Sequence, residues 1–358
     1  MSNKVFIEGA SIAALTAAAR LSKFKYEVVI DGEIYKNTEI AGFSFDRGDL
    51  LTLPAVYRDF FQKTGKHFGQ VLDVKPMNPA FVFEFEDFKI NFANLSRSAR
   101  LDEIEAKLGK DAALEWDKAL KEGEYLWDKI RENYVEWEFS IIRFNPDTYL
   151  RLRAPILRNP YLRKIMSHYA TYLGYPEGIY KWSHILCFVE ESFGIWQVSG
   201  GVGALTEAIK TRAVELGTKF GQTQEFDYYI DATQGHTTST QRLIGIDNFP
   251  TELPIRTVRF NQNGLTSDIY ASKISEGKYS IVISGDLEVS DFKKYAVVDQ
   301  IREGVDGDSD DQVLTRIRTA NKRKFKVRHL DSLSHAGITG ELLANAVRGI
   351  KNRPSHEH

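Results

Sequence analysis

The chain has 358 residues, of which 42% are hydrophobic and 27% are charged, a composition typical of a globular protein with a large core. Its 47 basic and 49 acidic residues nearly cancel, so no net field favours nucleic acid or anionic lipid, and no nucleic-acid partner is expected. This length predicts two domains, or one domain with a sizeable insertion.

The sequence has neither a signal-peptide pattern at its start nor an apolar run of about 18 residues. We therefore expect a cytoplasmic protein with no transmembrane segment, for which peripheral contact with a membrane stays open. Cys187 is the single cysteine, which excludes an internal disulfide and a cysteine-based zinc cluster. The histidines are scattered without metal-ligand spacing, so no metal is expected.

The first predicted elements are a strand, a turn and a helix in "VFIEGASIAALTAAARL", residues 5–21, followed by a strand that ends at Asp31. A buried strand that runs through a small-residue turn into an apolar helix is how a dinucleotide-binding βαβ unit begins. A short helix that stops at Gly65 comes next, and "AFVFEFEDFKINF", residues 80–92, alternates as a half-buried hairpin does.

The spacing of apolar residues predicts helices between Leu101 and Tyr134, with breaks near Gly109 and Gly123. A Gly-rich turn at 200–203 is predicted to open a helix that ends at Gly217. The remaining predicted elements are strands at 228–231 and 279–286, a helix or surface loop at 309–326, and a turn at Gly337 that opens a final helix.

Five parts of the chain carry a family resemblance in their order and spacing: "IEGASIAALTAAARL", "GFSFDRGDLLTLPAVYRDFF", "NPYLRKIMSHYATYLG" followed by "VEESFGIWQVSGGVGALTEAI", "YYIDATQGHTTSTQRLIG" and "HAGITGELLANAV". They resemble the phytoene desaturase family, the bacterial-type carotenoid desaturases and isomerases within the flavin amine-oxidase superfamily. The resemblance covers most of residues 4–245 and again 333–350, and leaves residues 246–332 without a counterpart.

The resemblance implies an α/β fold in which a Rossmann-like FAD/NAD(P)-binding domain carries an inserted α+β substrate domain. We assign residues 1–75, 197–250 and 325–358 to the nucleotide-binding domain and 76–196 to the substrate domain, and leave 251–324 unassigned. The strand that starts at Val5 is expected to lie centrally and parallel to the strand 228–231, because both are apolar on both faces.

Four elements of the family's cofactor site are altered in this chain. Gly9 is kept in the first turn, but Ser11 and Ala14 replace the second and third glycines, and the Ser11 side chain intrudes where phosphate would approach the backbone. Asp31 lies one position before the place of the ribose-binding acid. The loop beside the pyrophosphate lacks its paired glycines and its arginine, and the hairpin expected after Gly217 is missing.

The resemblance still implies cofactor-binding positions, and they are Gly9, Ser11, Ala14, Asp31, Gly201, Gly203, Gly337 and Gly340. We expect the glycine-bearing turns to converge on one cleft, where three helix N-termini form an anion site. The candidates for a catalytic role are Arg47, near the isoalloxazine side by resemblance, and His335, at the last helix start. An ion pair of Arg47 with Asp46 or Asp49 is the structural alternative.

Two further groups of titratable residues receive structural interpretations. Glu190 and Glu191 are adjacent and point in different directions on a helix or a strand, so a solvated face is expected to explain one of them. The other histidines, His168, His184 and His236, are expected to have structural roles.

The resemblance supports two hypotheses on function. The first is an FAD-dependent oxidoreductase or isomerase that acts on a carotenoid-like or other apolar substrate, with the flavin carrying the redox chemistry. The second is a flavin-free relative that binds a lipid or a protein partner. Flavin absorbance of the purified protein discriminates between them.

Overall fold

The computed structural model of the chain describes residues 3–49, 51–134, 157–171, 180–233, 237–261, 264–286, 290–306, 317–321, 323–327 and 333–350. Within these residues the helices are α1 (Ile12–Lys23), α2 (Ala55–Thr64), α3 (Phe68–Val71), α4 (Arg97–Leu108), α5 (Lys110–Tyr134), α6 (Pro160–Thr171), α7 (Tyr180–Phe193), α8 (Gly201–Glu215) and α9 (Leu333–Val347).

The strands of the described residues form two large sheets and two small ones. The first nine are β1 (Lys4–Glu8), β2 (Glu27–Asp31), β3 (Thr38–Ile40), β4 (Phe43–Phe45), β5 (Val74–Pro76), β6 (Phe81–Glu84), β7 (Lys89–Phe92), β8 (Trp196–Val198) and β9 (Lys219–Phe220). The others are β10 (Tyr228–Asp231), β11 (Thr237–Ile246), β12 (Arg256–Asn261), β13 (Gly264–Ser275), β14 (Lys278–Gly285), β15 (Ala296–Asp306), β16 (Ile317–Asn321) and β17 (Lys324–Val327).

The six-stranded sheet has the order β16-β17-β10-β1-β2-β9. β1 lies in its interior and runs parallel to both neighbours, with Val5 opposite Tyr228 and Val28. Helix α1 packs on this sheet and contacts α8 and α9. The predicted α/β class and the central, parallel placement of the first strand are confirmed.

The two faces of this sheet differ. Val5 and Ile7 point into a fully buried core at 1% and 0% exposure, and that core includes the helices. Phe6 and Tyr229 point to the opposite face, where they remain half-buried and stack with the exposed Phe226. The second face therefore carries aromatic side chains, in keeping with strands that are apolar on both faces, but it is only half-buried among the described residues. Only the helix-covered face excludes water.

The seven-stranded sheet has the order β15-β11-β14-β13-β12-β6-β7. The predicted hairpin is present as β6 and β7, and β6 continues into the sheet through parallel pairing with β12. Residues of the unassigned segment 251–324 thus supply strands β12 to β15. β10 and β11 belong to different sheets, so the segment 197–250 contributes to both. The domain boundaries themselves stay a prediction.

Helices α4 to α7 pack around the hairpin face of this sheet and share its apolar core. Gly109, at a φ of 90°, ends α4 as expected. Gly123 does not break α5, and a Cβ at this position would overlap the carbonyl oxygen of His184 on α7. The predicted break near Gly123 is wrong, because this glycine allows two helices to approach closely.

Residues 317–327 contain strands β16 and β17 rather than the helix or loop expected at 309–326, while 307–316 lie outside the described residues. Strand β17 pairs with β10 because its alternating pattern buries Phe325 and Val327 and exposes Lys324 and Lys326. None of the helices in the described part of the chain is both long and apolar enough to cross a bilayer.

Candidate functional site

The turn between β1 and α1 has the geometry that opens a nucleotide-binding unit. Gly9 has a φ of 94°, and a Cβ there would overlap the carbonyl oxygen of Ala232, so only glycine fits. Ser11 is the N-cap of α1, and its hydroxyl oxygen accepts the Ala14 N–H at 3.2 Å. One of the N–H groups that face an anion at a helix N-terminus is therefore bonded within the chain.

The surface of this turn is closed. Ala10 is 6% exposed, Ser11 9%, Ile12 7%, Ala13 3% and Ala14 0%. A pyrophosphate that binds over such a turn must reach the backbone N–H groups and the small side chains around them. The chain's own atoms already cover residues 10–14, while Gly9 is half-buried.

The segment that replaces the family's paired-glycine loop packs on the same core cluster as the turn. Ile34 and Tyr35 pack against the core that contains the turn. Asn37 follows them, and its amide donates to the Gly200 carbonyl at 3.0 Å while its oxygen accepts the Gly203 N–H at 3.2 Å. Larger side chains thus fill the region that the resemblance assigns to a small-residue loop.

The N-terminus of α8 is occupied in a similar way by an internal carboxylate. Asp46, at 5% exposure, accepts the Val202 N–H with both oxygens at 3.1 and 3.2 Å. Burial, with the nearby Asp49 charge, raises the pKa of Asp46 to about 6. A Cβ at Gly201 would overlap the Asp46 carboxylate, so this glycine lets the acid reach the helix end.

The predicted turn at Gly337 is wrong, because α9 already begins at Leu333 and Gly337 and Gly340 lie inside it. A Cβ at Gly337 would lie 3.2 Å from the ring of Tyr57 on α2. A Cβ at Gly340 would lie 2.6 Å from the Ala13 carbonyl oxygen on α1. Both glycines serve close helix packing in this structure, and neither marks the helix N-terminus.

Asp31 ends β2 opposite Glu8, and its carboxylate accepts a hydrogen bond from Gln222 at 3.1 Å. The next residue, Gly32, packs on the turn itself, since a Cβ there would lie 2.9 Å from the Ala10 nitrogen. The eight predicted cofactor positions therefore do not share one set of neighbours. The first turn contacts Ala232 and α1, and Asp31 contacts Gln222. The glycines of α8 contact Asp46 and Asn37, and those of α9 contact helices α1 and α2. Their convergence on one ligand stays a prediction.

The segment 46–49 lies at the seam between the two large sheets and gathers charged residues. Arg47 forms an ion pair with Asp49, and its guanidinium lies 4.6 Å from the ring centre of Tyr35. Arg256 of β12 donates to the Gly48 carbonyl at 2.5 Å. The structural alternative for Arg47, an ion pair with a neighbouring aspartate, is present; a catalytic role stays a prediction.

A small cavity adjoins this segment. Its lining includes Asp46, Asp49, Trp196, Val202 and Tyr270, and the centre of a water molecule can move in about 10 Å³ of it. That is room for about one water molecule. Gly9, Ser11 and Ala14 are not among its lining residues. Within the described part of the chain, neither this cavity nor the buried residues 10–14 offer an open surface of the size of an FAD molecule.

A buried charged cluster in the helical region is the feature that sequence reasoning missed. Glu190 and Glu191 on α7 are both buried, at 4% and 6% exposure, so the expected solvated face is wrong. Glu191 pairs with Arg100 at 3.4 Å and with Arg97 at 3.6 Å. Arg97 and Arg100 reach Glu191 from α4, which the sequence of α7 alone does not reveal. The sequence of α4, RSARLDEIEAKL, is highly charged and gives no signal that Arg100 is buried.

Glu190 has a different environment from its neighbour. Tyr169 lies beside its carboxyl, while the atom Oε2 has no hydrogen-bond partner among the described residues. Burial raises the pKa of Glu190 to about 8, against the opposing charge of Arg100. Glu190 is therefore a carboxyl group that stays protonated at neutral pH.

The histidines divide between described and undescribed residues. His168 is 1% exposed and packs edge-on against Phe81 and Phe83, and burial lowers its pKa to about 4, in keeping with a structural role. His236 and the side chain of His335 lie outside the described residues, so the catalytic prediction for His335 stays a prediction.

Sequence relatives are carotenoid enzymes. The chain is 23% identical to a 4,4'-diapolycopene oxygenase of Methylomonas sp over 60% of its own length and 48% of the relative. It is 23% identical to a neurosporene-forming phytoene desaturase of Rhodobacter capsulatus over 72% of its length and 52% of the relative. No protein-family model matches. The chain thus spans about half the length of the curated relatives it matches.

Solved structures share the whole fold. The PF1083 protein of Pyrococcus furiosus superposes with a TM-score of 0.63 at 11% identity, over 98% of this chain and 99% of that one. A cyclohexylamine oxidase of Brevibacterium oxydans gives a TM-score of 0.60 at 10% identity, over 98% and 99% of the two chains. At such identities the likeness establishes the fold. In sequence the chain is therefore similar to carotenoid oxygenases and phytoene desaturases, and in fold to the PF1083 protein and the cyclohexylamine oxidase.

Proposed function

We propose that this chain is a flavin-free relative of the carotenoid desaturases, which acts by binding a lipid or a partner and has no redox chemistry of its own. The observation that carries the proposal is the closed β1–α1 turn, where residues 10–14 are at most 9% exposed. A dinucleotide gains its affinity from backbone contacts at such a turn, and those contacts require an open surface.

Two further features support the same function. Ser11 bonds the Ala14 N–H within the chain, so a phosphate would have to displace that cap. The ring of Tyr35 packs against the same core and carries Arg47 on its face, so a small-residue loop in place of this segment would break up a stacked pair. Each change has an energetic cost before any flavin contact forms.

The first experiment is a titration of the purified full-length chain with FAD, followed by flavin fluorescence and by absorbance at about 450 nm. We expect a colourless protein that leaves the fluorescence of added FAD unchanged. The double variant Ser11→Gly, Tyr35→Gly restores a small-residue surface at the turn and is the matched comparison. Saturable quenching by the wild-type chain would refute the proposal.

The relatives favour a second function, an FAD-dependent oxidoreductase or isomerase acting on a carotenoid-like or other apolar substrate. Its support is the similarity over 60% and 72% of the chain to proteins named for carotenoid oxygenation and phytoene desaturation. Bound flavin in the wild-type chain, together with a spectral change when a carotenoid is added without oxygen, would select this function over the first.

A further inference from the structure

One end of the six-stranded sheet region carries exposed apolar side chains between basic ones. This basic–apolar patch consists of Lys23, Phe24 and Lys25 at the end of α1, and Arg348 and Ile350 after α9. Phe24 is 39% exposed and Ile350 40% exposed, and both lysines are exposed.

The fold, and not the sequence order, assembles the patch. Helices α1 and α9 lie side by side, with Gly340 against Ala13 and Thr16, and both end at the same side of the molecule. Arg348 then stacks on Phe24, with its guanidinium carbon 3.4 Å from the ring centre. Two segments more than three hundred residues apart form one continuous surface.

The charges of this surface are available to a partner. Arg20, on the inner side of Phe24, is engaged by Glu341 at 2.6 Å. Within the described part of the chain, no carboxylate lies within ion-pair distance of Lys23, Lys25 or Arg348. Cations are favourable at helix C-termini, which accounts for Lys23 but not for the apolar side chains exposed beside it.

We propose that the basic–apolar patch docks this protein on the surface of an anionic lipid bilayer. Lys23, Lys25 and Arg348 attract the negative headgroups, while Phe24 and Ile350 enter the boundary between headgroups and acyl chains. Exposed rings and aliphatic side chains among cations distinguish this surface from one that binds a polyanion in water. The whole chain has a net charge of −2, so its attraction to anionic headgroups would come from the cations of this patch alone.

The inference names the lipid surface for the binding role proposed above, and it stands or falls independently of FAD. The test is sedimentation of the full chain with vesicles of phosphatidylcholine containing about 30% phosphatidylglycerol, and with pure phosphatidylcholine vesicles. We expect binding to the anionic vesicles only, and loss of binding when the salt is raised from about 0.1 to 0.5 M.

Variants locate the surface. The pair Lys23→Gln, Lys25→Asn removes two cations, and Asn suits the left-handed φ of 68° at position 25. We expect a loss of about 30-fold in partition coefficient. The matched control is Lys219→Gln, Lys324→Gln, which removes two exposed lysines elsewhere and should leave binding unchanged.

Phe24→Ser should weaken vesicle binding, whereas Phe226→Ser, at a ring equally exposed on the sheet face, should not. Equal loss in the control pairs would overturn the assignment of this surface. Absence of binding to anionic vesicles, or binding to poly-glutamate that depends on Lys23 and Lys25 without any vesicle binding, would overturn the proposal itself.

Discussion

Replacing Glu190 by glutamine should stabilise the protein at neutral pH. Its carboxyl has a folded-state pKa of about 8 against an ordinary value of 4.5, because burial disfavours the charge. Between these values the folded state holds a proton that the unfolded chain has released. The contribution of Glu190 to the free energy of unfolding is therefore greatest below pH 4.5 and falls as the pH rises from 4.5 to about 8. Glutamine keeps the shape and never ionises.

The size of this stabilisation follows from how far the pH lies above 4.5, the ordinary pKa of a glutamate side chain. One pH unit corresponds to about 1.4 kcal/mol, so the gain for Glu190→Gln is about 2 kcal/mol at pH 6 and about 3 kcal/mol at pH 7. The difference between the two proteins should thus grow with pH, whatever the other titrating groups do.

The assay is urea unfolding of both proteins from pH 6 to 8, followed by tryptophan fluorescence. Glu191→Gln is the matched control: burial raises the pKa of Glu191 too, but this carboxylate pairs with the buried Arg100, and its loss leaves that charge unpaired, which should lower stability by about 3 kcal/mol. The same substitution at two adjacent positions then has opposite signs. Parallel pH profiles for wild type and Glu190→Gln would refute the reasoning.

Three other substitutions test the packing around the closed turn. Asp46→Asn should abolish the decline in stability between about pH 4 and 6, because the folded-state pKa of Asp46 lies above its ordinary value, and unfolding at several pH values measures this. Gly340→Ala should lower the unfolding free energy by about 1–3 kcal/mol, since its Cβ would lie 2.5 Å from Thr16 Cβ. An unchanged thermal unfolding midpoint would show instead that α1 and α9 can move apart without cost. Ser11→Ala should lower it by about 1 kcal/mol through loss of the cap on Ala14, and an unchanged urea midpoint would contradict that role.

The fold was accessible to sequence reasoning where the signal is local. The apolar run at Val5–Ile7, the small residues after Gly9 and the apolar spacing of α1 each predict their own element, and the parallel sheet follows from them. The alternation through Phe81–Phe92 likewise predicts its hairpin. The resemblance to the phytoene desaturases rests on the same segments, and the comparisons support it.

The candidate site was only partly accessible. The sequence identifies Ser11 as a change in the first turn, but not that α9 packs against the start of α1, with Gly340 against Ala13. It places Glu190 beside Glu191, but a residue's burial depends on which helices cover it, and α4 and α5 come from another part of the chain.

By itself, therefore, the sequence determined the elements with a strong local pattern, the α/β class and the relatives of this protein, because periodicity, turn residues and caps act over a few neighbouring positions. Only the tertiary structure decided that the nucleotide turn is closed, that one sheet face lacks a helical cover among the described residues, and that Phe24 and Arg348 form one surface. A net charge of −2 conceals that surface, since a sum over the chain carries no information on where the charges lie. Contact, burial and local charge depend on residues far apart in sequence, and folding alone brings those residues together.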